Sequence, residues 1–258
     1  MMHKLNIADN FSRYAHLYDH YADVQIKAAF ELADLIKNNN FRRILEIGCG
    51  TGNYTLMLKE RFKAASIKSL DISEKMVNVA RNKLKNKGVE FIVADAQKIN
   101  LDVIGPINFD LITSNACFQW FDSLKKVLRE YVKLLQERGV IYFSIFGPHT
   151  FCELNTALMH VCRERIDSAN FCDRHKLEMM LKDSFSSVRI KEIRYQETFA
   201  SLKKLLEKIK YSGIRGNGLA KKVYFSRGLL EKLERAYLDR FQEIRATYQV
   251  FLCRGEKQ

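Results

Sequence analysis

Proline is almost absent and glycine is sparse: the 258 residues contain 2 and 12 of them. That excludes a Pro- or Gly-rich linker, so independent domains on a flexible tether are not expected. Long apolar runs are missing as well. The longest, Val140–Phe146 (VIYFSIF), falls far short of the roughly 20 residues that a membrane helix needs. The first ten residues, MMHKLNIADN, lack the apolar centre of a secretory signal, and a cytoplasmic protein is expected. The six cysteines, at 49, 117, 152, 162, 172 and 253, include no Cys-x-x-Cys pair. They are expected as free thiols rather than as a disulfide framework or a zinc site. There is no internal repeat and no low-complexity tract.

What is present is ordinary globular material, 47% hydrophobic and 28% charged, in a length that suits one large domain. The unusual quantity is charge. Lys and Arg number 43 against 30 Asp and Glu, a net +13. Such an excess suits an acidic partner: nucleic acid, an anionic membrane surface or an acidic protein.

Hydrophobic periodicity alternates between helix and strand in the first half. Ile26, Ala29, Phe30, Ala33 and Ile36 share one helical face. Strands are expected at Arg43–Ile47, Ile67–Asp71, Phe91–Ala94, Phe109–Thr113 and Val140–Phe146. Helices are expected between them at Asn53–Phe62, Ser73–Lys85 (with Ser73 as N-cap) and Ser123–Leu135. That alternation predicts a parallel sheet with right-handed crossovers. After Gly147 the rhythm changes. Phe151–Arg163, Arg174–Phe185, Ser201–Tyr211 and Gly228–Phe241 read as helices, and Ser187–Phe199 and Ile244–Cys253 as strands. Two late strands around a helical insertion suggest an antiparallel pair.

The strongest local signal is LEIGCGTG at 45–52, between a strand and a helix. Its glycines, 48, 50 and 52, allow a tight turn and a close backbone approach to a ligand. Their G-x-G-x-G spacing is not the G-x-G-x-x-G of dinucleotide enzymes. Glu46 lies just ahead of the loop. Asp71 ends the second strand, nineteen residues after Gly52, where a carboxylate can bind ribose hydroxyls. Asp95-Ala96 ends the third, where a carboxylate can accept from an adenine amino group. A glycine loop after a strand is often only a structural turn. Acids in register at successive strand ends argue instead for a nucleoside pocket. An anionic pyrophosphate would be repelled there, whereas a cationic sulfonium nucleoside would be attracted. His16 and His20 flank Asp19 at a metal-like spacing, but no third ligand is evident and no metal is expected. His149, His160 and His175 read as surface or packing residues.

LEIGCGTG, Asp71-Ile72-Ser73, VADA at 93–96 and the fifth-strand pattern together resemble the class I S-adenosylmethionine-dependent methyltransferases over about 41–147. The resemblance implies a Rossmann-like α/β fold: a seven-stranded sheet with its last pair antiparallel, and a helical cap. It implies Gly48, Cys49 and Gly50 against the methionine part of S-adenosylmethionine, Asp71 with Ile72 at the ribose, and Asp95 with Ala96 at the adenine. It also puts Tyr18, Gln25, Glu46, Met76 and Asn115 at the cofactor, and makes S-adenosylhomocysteine the product.

Segments outside that core narrow the resemblance. Asn10-Phe11-Ser12-Arg13, Tyr18-Asp-His-Tyr-Ala-Asp-Val-Gln25, Ser114-Asn-Ala-Cys-Phe-Gln-Trp120, Phe146-Gly-Pro-His-Thr-Phe-Cys-Glu-Leu154 and Lys210-Tyr-Ser-Gly-Ile214 resemble the malonyl-acyl-carrier-protein O-methyltransferases of biotin synthesis. Trans-aconitate and related small-acid methyltransferases share single motifs of this set, not the combination. Two stretches depart from the family: Gln136-Glu-Arg-Gly139 replaces a Pro-Gly-Gly turn, and Phe151–Phe185 matches only loosely.

The resemblance implies methyl transfer to the free carboxylate of a malonyl thioester. A simple carboxyl titrates near ~4 and is already ionised near neutral pH, so no general base is expected. Tyr18 and Gln25 are placed over the cofactor. Asn115, Phe118, Gln119 and Trp120 are placed where the methyl would point, an amide orienting the carboxylate and Phe118 and Trp120 excluding water. Tyr18 and Trp120 also read as plain packing. Arg13, His149, Arg215 and Arg227 are candidates to pair with the malonyl carboxylate.

Between Ser201 and Arg227 stand Lys203, Lys204, Lys208, Lys210, Arg215, Lys221, Lys222 and Arg227 against Glu207 alone, a net +7. Such a run is often a solvated helix face. The resemblance supplies a partner, the acidic acyl carrier protein, with malonyl-coenzyme A as the alternative carrier. Gly213, Gly216 and Gly218 could hinge this cap. Neither nucleic acid nor membrane is expected as partner, and a monomer is expected. A carboxyl methyltransferase of a free small acid, an RNA-binding methyltransferase and a pure cofactor-binding regulator are the alternatives. Asn115–Trp120 lacks the Asn/Asp-Pro-Pro-Tyr/Phe arrangement common in base amino methylation. The expected organisation is one domain, 1–258. It comprises cofactor-covering helices at 1–40, a cofactor-binding core at 41–147, a helical segment at 148–186, and a strand pair at 187–258 with a basic insertion at 201–242.

Overall fold

The computed structural model describes residues 2–37, 40–99, 104–105, 108–212 and 225–258. Three helices open the chain: α1 (Met2–Tyr14), α2 (Tyr18–Tyr21) and α3 (Asp23–Leu35). The core follows as β1 (Arg43–Ile47), α4 (Asn53–Arg61), β2 (Ser66–Asp71), α5 (Glu74–Lys83), β3 (Val89–Val93), β4 (Phe109–Asn115), α6 (Leu124–Leu134) and β5 (Leu135–Phe146). Then come α7 (Cys152–Cys162), α8 (Arg174–Lys182), β6 (Ser187–Phe199), α9 (Leu202–Tyr211), α10 (Arg227–Phe241) and β7 (Ile244–Glu256). No described helix is long and apolar enough to cross a membrane.

The seven strands form one sheet in the order β3-β2-β1-β4-β5-β7-β6. β1 to β5 pair in parallel, while β7 runs antiparallel to both neighbours. The expected Rossmann-like sheet with its antiparallel last pair is therefore present. From β1 the chain first builds outward through β2 and β3, then returns to place β4 on the other side. That reversal opens a crevice at the carboxyl ends of β1 and β4, where open α/β sheets bind ligands.

Helices cover both faces of the sheet, so the central strands are nearly continuous apolar runs; four of the five residues of β1 are buried. On one face Leu32, Leu58, Leu154, Leu205 and Tyr237 pack with Ile44 and Val250. On the other, Leu128, Tyr131, Leu177 and Leu181 pack with Ile112 and Phe143. Helix α6 shows the pattern responsible: Leu124, Val127, Leu128, Tyr131 and Leu134 are its buried residues, at three-four spacing. Edge strand β6 instead alternates, as a strand wet on one side must.

Most bounds shift by one to three residues, as at β3 (Val89–Val93), α8 (Arg174–Lys182) and β7 (Ile244–Glu256), and two differences are informative. Helix α3 starts at Asp23, a turn before the first apolar position of the pattern. Strand β5 starts at Leu135 rather than Val140, because pairing with β4 is interrupted. Phe109 faces Leu135, but Leu111 faces Val140. The surplus residues bulge out around Arg138, whose φ is 59°. The Gln136–Gly139 stretch is thus part of an irregular strand rather than a separate turn. Gly213, Arg215, Gly216, Gly218, Lys221 and Lys222 lie outside the described residues.

Candidate active site

The loop after β1 is tied to β2: the N–H groups of Gly48 and Cys49 donate to the Leu70 carbonyl at 2.7 and 2.9 Å. Gly48 has φ 72° and faces Cys117 at the end of β4. A Cβ at Gly48 would lie 2.4 Å from Cys117 Sγ. Gly50 has φ 53°, and a Cβ there would meet nothing within 4 Å, because it faces open space. That space is a partly open cleft of about 750 Å³, counted to its mouth.

Asp71 and Asp95 both line this cavity. Asp71 is fixed by its neighbours: Gly50 N–H donates to Oδ2 and Ser73 N–H to Oδ1, both at 2.9 Å. Burial pushes its carboxyl above the ordinary range, and these backbone donors oppose the rise. Asp95 Oδ1 accepts from Gln97 N–H at 3.0 Å. Between the two acids lie Ile72, Ala94 and Ala96. Ile72 remains 36% exposed, an apolar platform without protein to cover it. Met76 closes the floor. The N-cap of α5 is Ser73 as expected, its Oγ accepting from Met76 N–H at 3.3 Å.

The N-terminal helices roof the cavity with Phe11 and Tyr18. Ser12 Oγ lies 2.8 Å from Ser73 Oγ, joining α1 to the cap of α5. Burial and the nearby Asp71 and Asp19 charges push the Tyr18 hydroxyl pKa far up, so it stays protonated. Asp19 is the latch that the sequence did not reveal. Its Oδ1 accepts from Thr51 Oγ1 at 2.5 Å and Asn53 Nδ2 at 2.9 Å, and its Oδ2 pairs with Lys83 Nζ at 2.7 Å. One side chain thus holds α2 to α4 and α5. Asp19→Ala is expected to weaken cofactor binding about tenfold, roughly 1.4 kcal/mol, by calorimetric titration, with the sheet still folded.

A smaller space adjoins the first. It is lined by Gln25, Cys49, Thr51 and Tyr54, and shares Tyr18, Gly48, Gly50 and Asn115 with the main cavity. Gln25 Nε2 donates to the Ser212 carbonyl at 3.1 Å, while its buried Oε1 has no protein partner.

Several expected placements need correction. Phe118 is buried against Phe121, Tyr131 and Phe143 and does not wall the cavity. In the tight turn Phe118–Trp120 successive side chains point apart, so Trp120 and the neighbouring Phe121 take the cavity side. Trp120 meets Phe11 and Phe171 edge-on. Gln119 folds back, its Nε2 donating to the Ala116 carbonyl at 2.6 Å. Asn115 lines both spaces, but its carboxamide is engaged. Nδ2 donates to the Gln25 carbonyl at 3.0 Å, and Oδ1 accepts from Ser144 Oγ at 2.7 Å. It locks strand to roof instead of standing ready for a substrate carboxylate. Glu46 sits behind the loop, accepting from Ser69 Oγ at 2.6 Å, outside both linings.

The basic run also divides. Lys208 is turned inward, its side chain 12% exposed, and pairs with Asp23 at 2.6 Å and Glu197 at 2.9 Å. It is a cross-link, not a docking cation. Lys203 is exposed; Lys204 is exposed but paired with Glu207 at 2.9 Å. Arg227 is exposed and paired with Glu231 at 3.1 Å. Among the described residues no group of three or more His, Cys, Asp and Glu is placed to hold a metal.

A family model described as a methyltransferase domain matches residues 45–143. The malonyl-acyl-carrier-protein O-methyltransferase of Acetivibrio thermocellus is 31% identical over 100% of this chain and 95% of its own length. Malonyl-acyl-carrier-protein O-methyltransferase 1 of Ilyobacter polytropus is 34% identical over 92% and 88%. The chain belongs to this methyltransferase family. Among solved structures, YcgJ of Bacillus subtilis matches with a TM-score of 0.60 at 16% identity, over 90% of this chain and 98% of its own. A Haemonchus contortus phosphoethanolamine N-methyltransferase 2, solved with phosphomonomethylethanolamine and S-adenosylhomocysteine, matches with a TM-score of 0.57 at 16% identity, over 90% and 53%. At such identity the likeness is one of fold.

In this methyltransferase Glu46 has a consequence for stability. Burial pushes its carboxyl from the ordinary 4.5 up to about 7. The folded state then holds a proton that the unfolded chain releases. The stabilising contribution is full below 4.5 and is lost as pH rises through about 7. Relative to wild type, Glu46→Gln is therefore expected to gain stability as pH rises across that window. Urea midpoints of both proteins across the window test this; a constant difference would contradict it.

Proposed function

We propose that this methyltransferase moves a methyl group from S-adenosylmethionine to the free carboxylate of a malonyl thioester carried by acyl carrier protein. S-adenosylmethionine is the cofactor. The observation that carries its placement is the pairing of two carboxylates with an apolar platform. Asp71 and Asp95 bracket Ile72, Ala94 and Ala96 in one cavity, which suits a nucleoside bearing positive charge. The unpartnered Oε1 of Gln25 beside the adjoining space suits an ammonium donor on the tail. Asp71 would then hold the ribose, Asp95 with Ala96 the adenine, and Gly48, Cys49 and Gly50 the methionyl part, with Ile72 and Met76 against the rings.

When bound, the cofactor supplies an electrophilic methyl on a sulfonium. The residues of this chain need only orient and enclose. The acceptor carboxylate is ionised near neutral pH, so no proton must be removed and no base is required. Tyr18, Phe11 and Trp120 form an aromatic wall that excludes water while oxygen, methyl and sulfur align. Asn115 holds the roof in place through the Gln25 carbonyl. The exposed Lys203 and Lys204 offer the carrier protein its first contact. The ester would mask the malonyl charge, so that chain-elongating enzymes can accept the unit toward a pimeloyl precursor.

The reading is supported by the family membership over nearly the whole chain rather than the core alone. It is tested with methyl-labelled cofactor. Label that mild base releases as methanol is expected with malonyl-carrier protein, and none with bulk RNA or trans-aconitate. Label only on RNA or trans-aconitate would refute it.

A further inference from the structure

Lys210 stands apart from the rest of the basic run. Its ammonium lies 5.5 Å from the ring centre of Tyr14 and 5.0 Å from that of Tyr211. Tyr14 meets Tyr211 edge-on at 5.1 Å, Tyr21 tilts against Tyr211 at 4.9 Å, and His20 meets Tyr21 at 4.8 Å. The three tyrosines are half-buried, and so is Lys210. Aromatic faces attract the cation but leave its three N–H donors without acceptors. The nearby carboxylates are taken elsewhere: Glu207 by Lys204, Asp23 and Glu197 by Lys208. No carboxylate among the described residues lies within ion-pair reach of Lys210. An ammonium held over two phenol rings keeps its charge and its N–H donors available. It suits a tetrahedral anion that accepts several hydrogen bonds.

Its position matters as much as its chemistry. Tyr14 lies one helical turn beyond Phe11, and Tyr21 three residues beyond Tyr18; Phe11 and Tyr18 line the main cavity. Ser212, two residues after Lys210, accepts from Gln25, which lines the adjoining space. The cluster therefore lies beside the roof of the cavity, outside both linings, and joins that roof to α9.

We propose that Lys210, with Tyr14, Tyr21 and Tyr211, forms the subsite for the phosphate ester of a phosphopantetheine arm. It rests on the malonyl-thioester reading above. The arm is common to carrier protein and coenzyme A, and its phosphate would anchor beside the roof while the thioester end enters the cavity.

The test measures kcat/KM for malonyl-pantetheine, which lacks the phosphate, and malonyl-4′-phosphopantetheine. Wild type is expected to favour the phosphorylated substrate at least about tenfold, on the order of 1.4 kcal/mol. Lys210→Met is expected to bring that ratio near one, and Lys210→Arg to keep most of it. An unchanged ratio in Lys210→Met overturns the subsite. The ratio carries its own control for folding, since damage to the fold lowers both values together. Malonyl-coenzyme A and malonyl-carrier protein distinguish the sources. Loss of kcat/KM with both supports a site for the shared phosphate. Loss confined to the carrier protein overturns it in favour of a contact with the carrier's own surface. Methyl transfer to none of the four thioesters would overturn the parent reading, and the subsite with it.

Discussion

Asp71→Ala is expected to weaken S-adenosylmethionine binding by about two orders of magnitude, near 2.7 kcal/mol. The substitution does more than delete a contact to ribose. Gly50 and Ser73 both donate to its carboxylate. Without it two N–H groups lose their acceptor in a half-buried place, each at a cost of about 1–3 kcal/mol where water cannot replace it. The loop that carries Gly50 is then held to the end of β2 only by the Gly48 and Cys49 N–H groups on the Leu70 carbonyl. Asp71→Asn keeps one acceptor and is expected to fall between wild type and alanine. Calorimetric titration with the cofactor decides; unaltered affinity in Asp71→Ala would refute the ribose role.

Gly48→Ala is expected to abolish measurable cofactor binding. A methyl group there would stand 2.4 Å from Cys117 Sγ and 2.6 Å from its Cβ, distances that van der Waals contact forbids. The φ of 72° adds strain of about 1–2 kcal/mol for a non-glycine residue. The loop or the end of β4 must move, and both line the cavity. Adding Cys117→Gly removes the clash but not the strain, so partial recovery of binding is expected in the double variant. Wild-type affinity in Gly48→Ala, with its fold verified by circular dichroism, would contradict this geometry.

The sheet was largely legible because its signals are local. Arg43–Ile47 is a short apolar run that ends in a glycine loop, and its observed bounds are those expected. Ser187–Phe199 alternates, with one slip at Glu192–Ile193, because it is an edge strand, and its bounds also agree. The start of β5 was not legible: pairing skips around Arg138, and no apolar pattern marks a bulge. The acids at the ends of β2 and β3 were legible for the same local reason, since topology alone brings strand ends together.

The rest of the site depends on contacts between distant segments. Asp19 finds Thr51, Asn53 and Lys83; Lys208 finds Asp23 and Glu197. Nothing in the local pattern of Lys208 separates it from Lys203 or Lys204, yet one is buried and paired and the others are exposed. Phe118 and Trp120 are two residues apart in a tight turn, so one packs in the core and the other on the cavity. A motif match cannot assign them opposite directions. The same blindness hid the tyrosine cluster: Tyr14, Tyr21 and Tyr211 come from three helices, and only their packing makes Lys210 distinct.

The positive charge is thereby sharpened. The cavity that suits the cofactor is lined by acids, whereas α9, beside the roof, carries four lysines against Glu207 alone, with Lys203 and Lys204 exposed. That division favours a cationic cofactor inside and an anionic carrier outside.

The central claim is the identity of the methylated group, and product analysis tests it most directly. Malonyl-loaded acyl carrier protein is incubated with the enzyme and S-adenosylmethionine, and the acyl group released from its arm is identified by mass spectrometry. The account predicts the monomethyl ester of malonate, and no methyl gained when the carrier holds acetyl, which has no free carboxylate. Unmodified malonate, or equal methylation of the acetyl form, would contradict it.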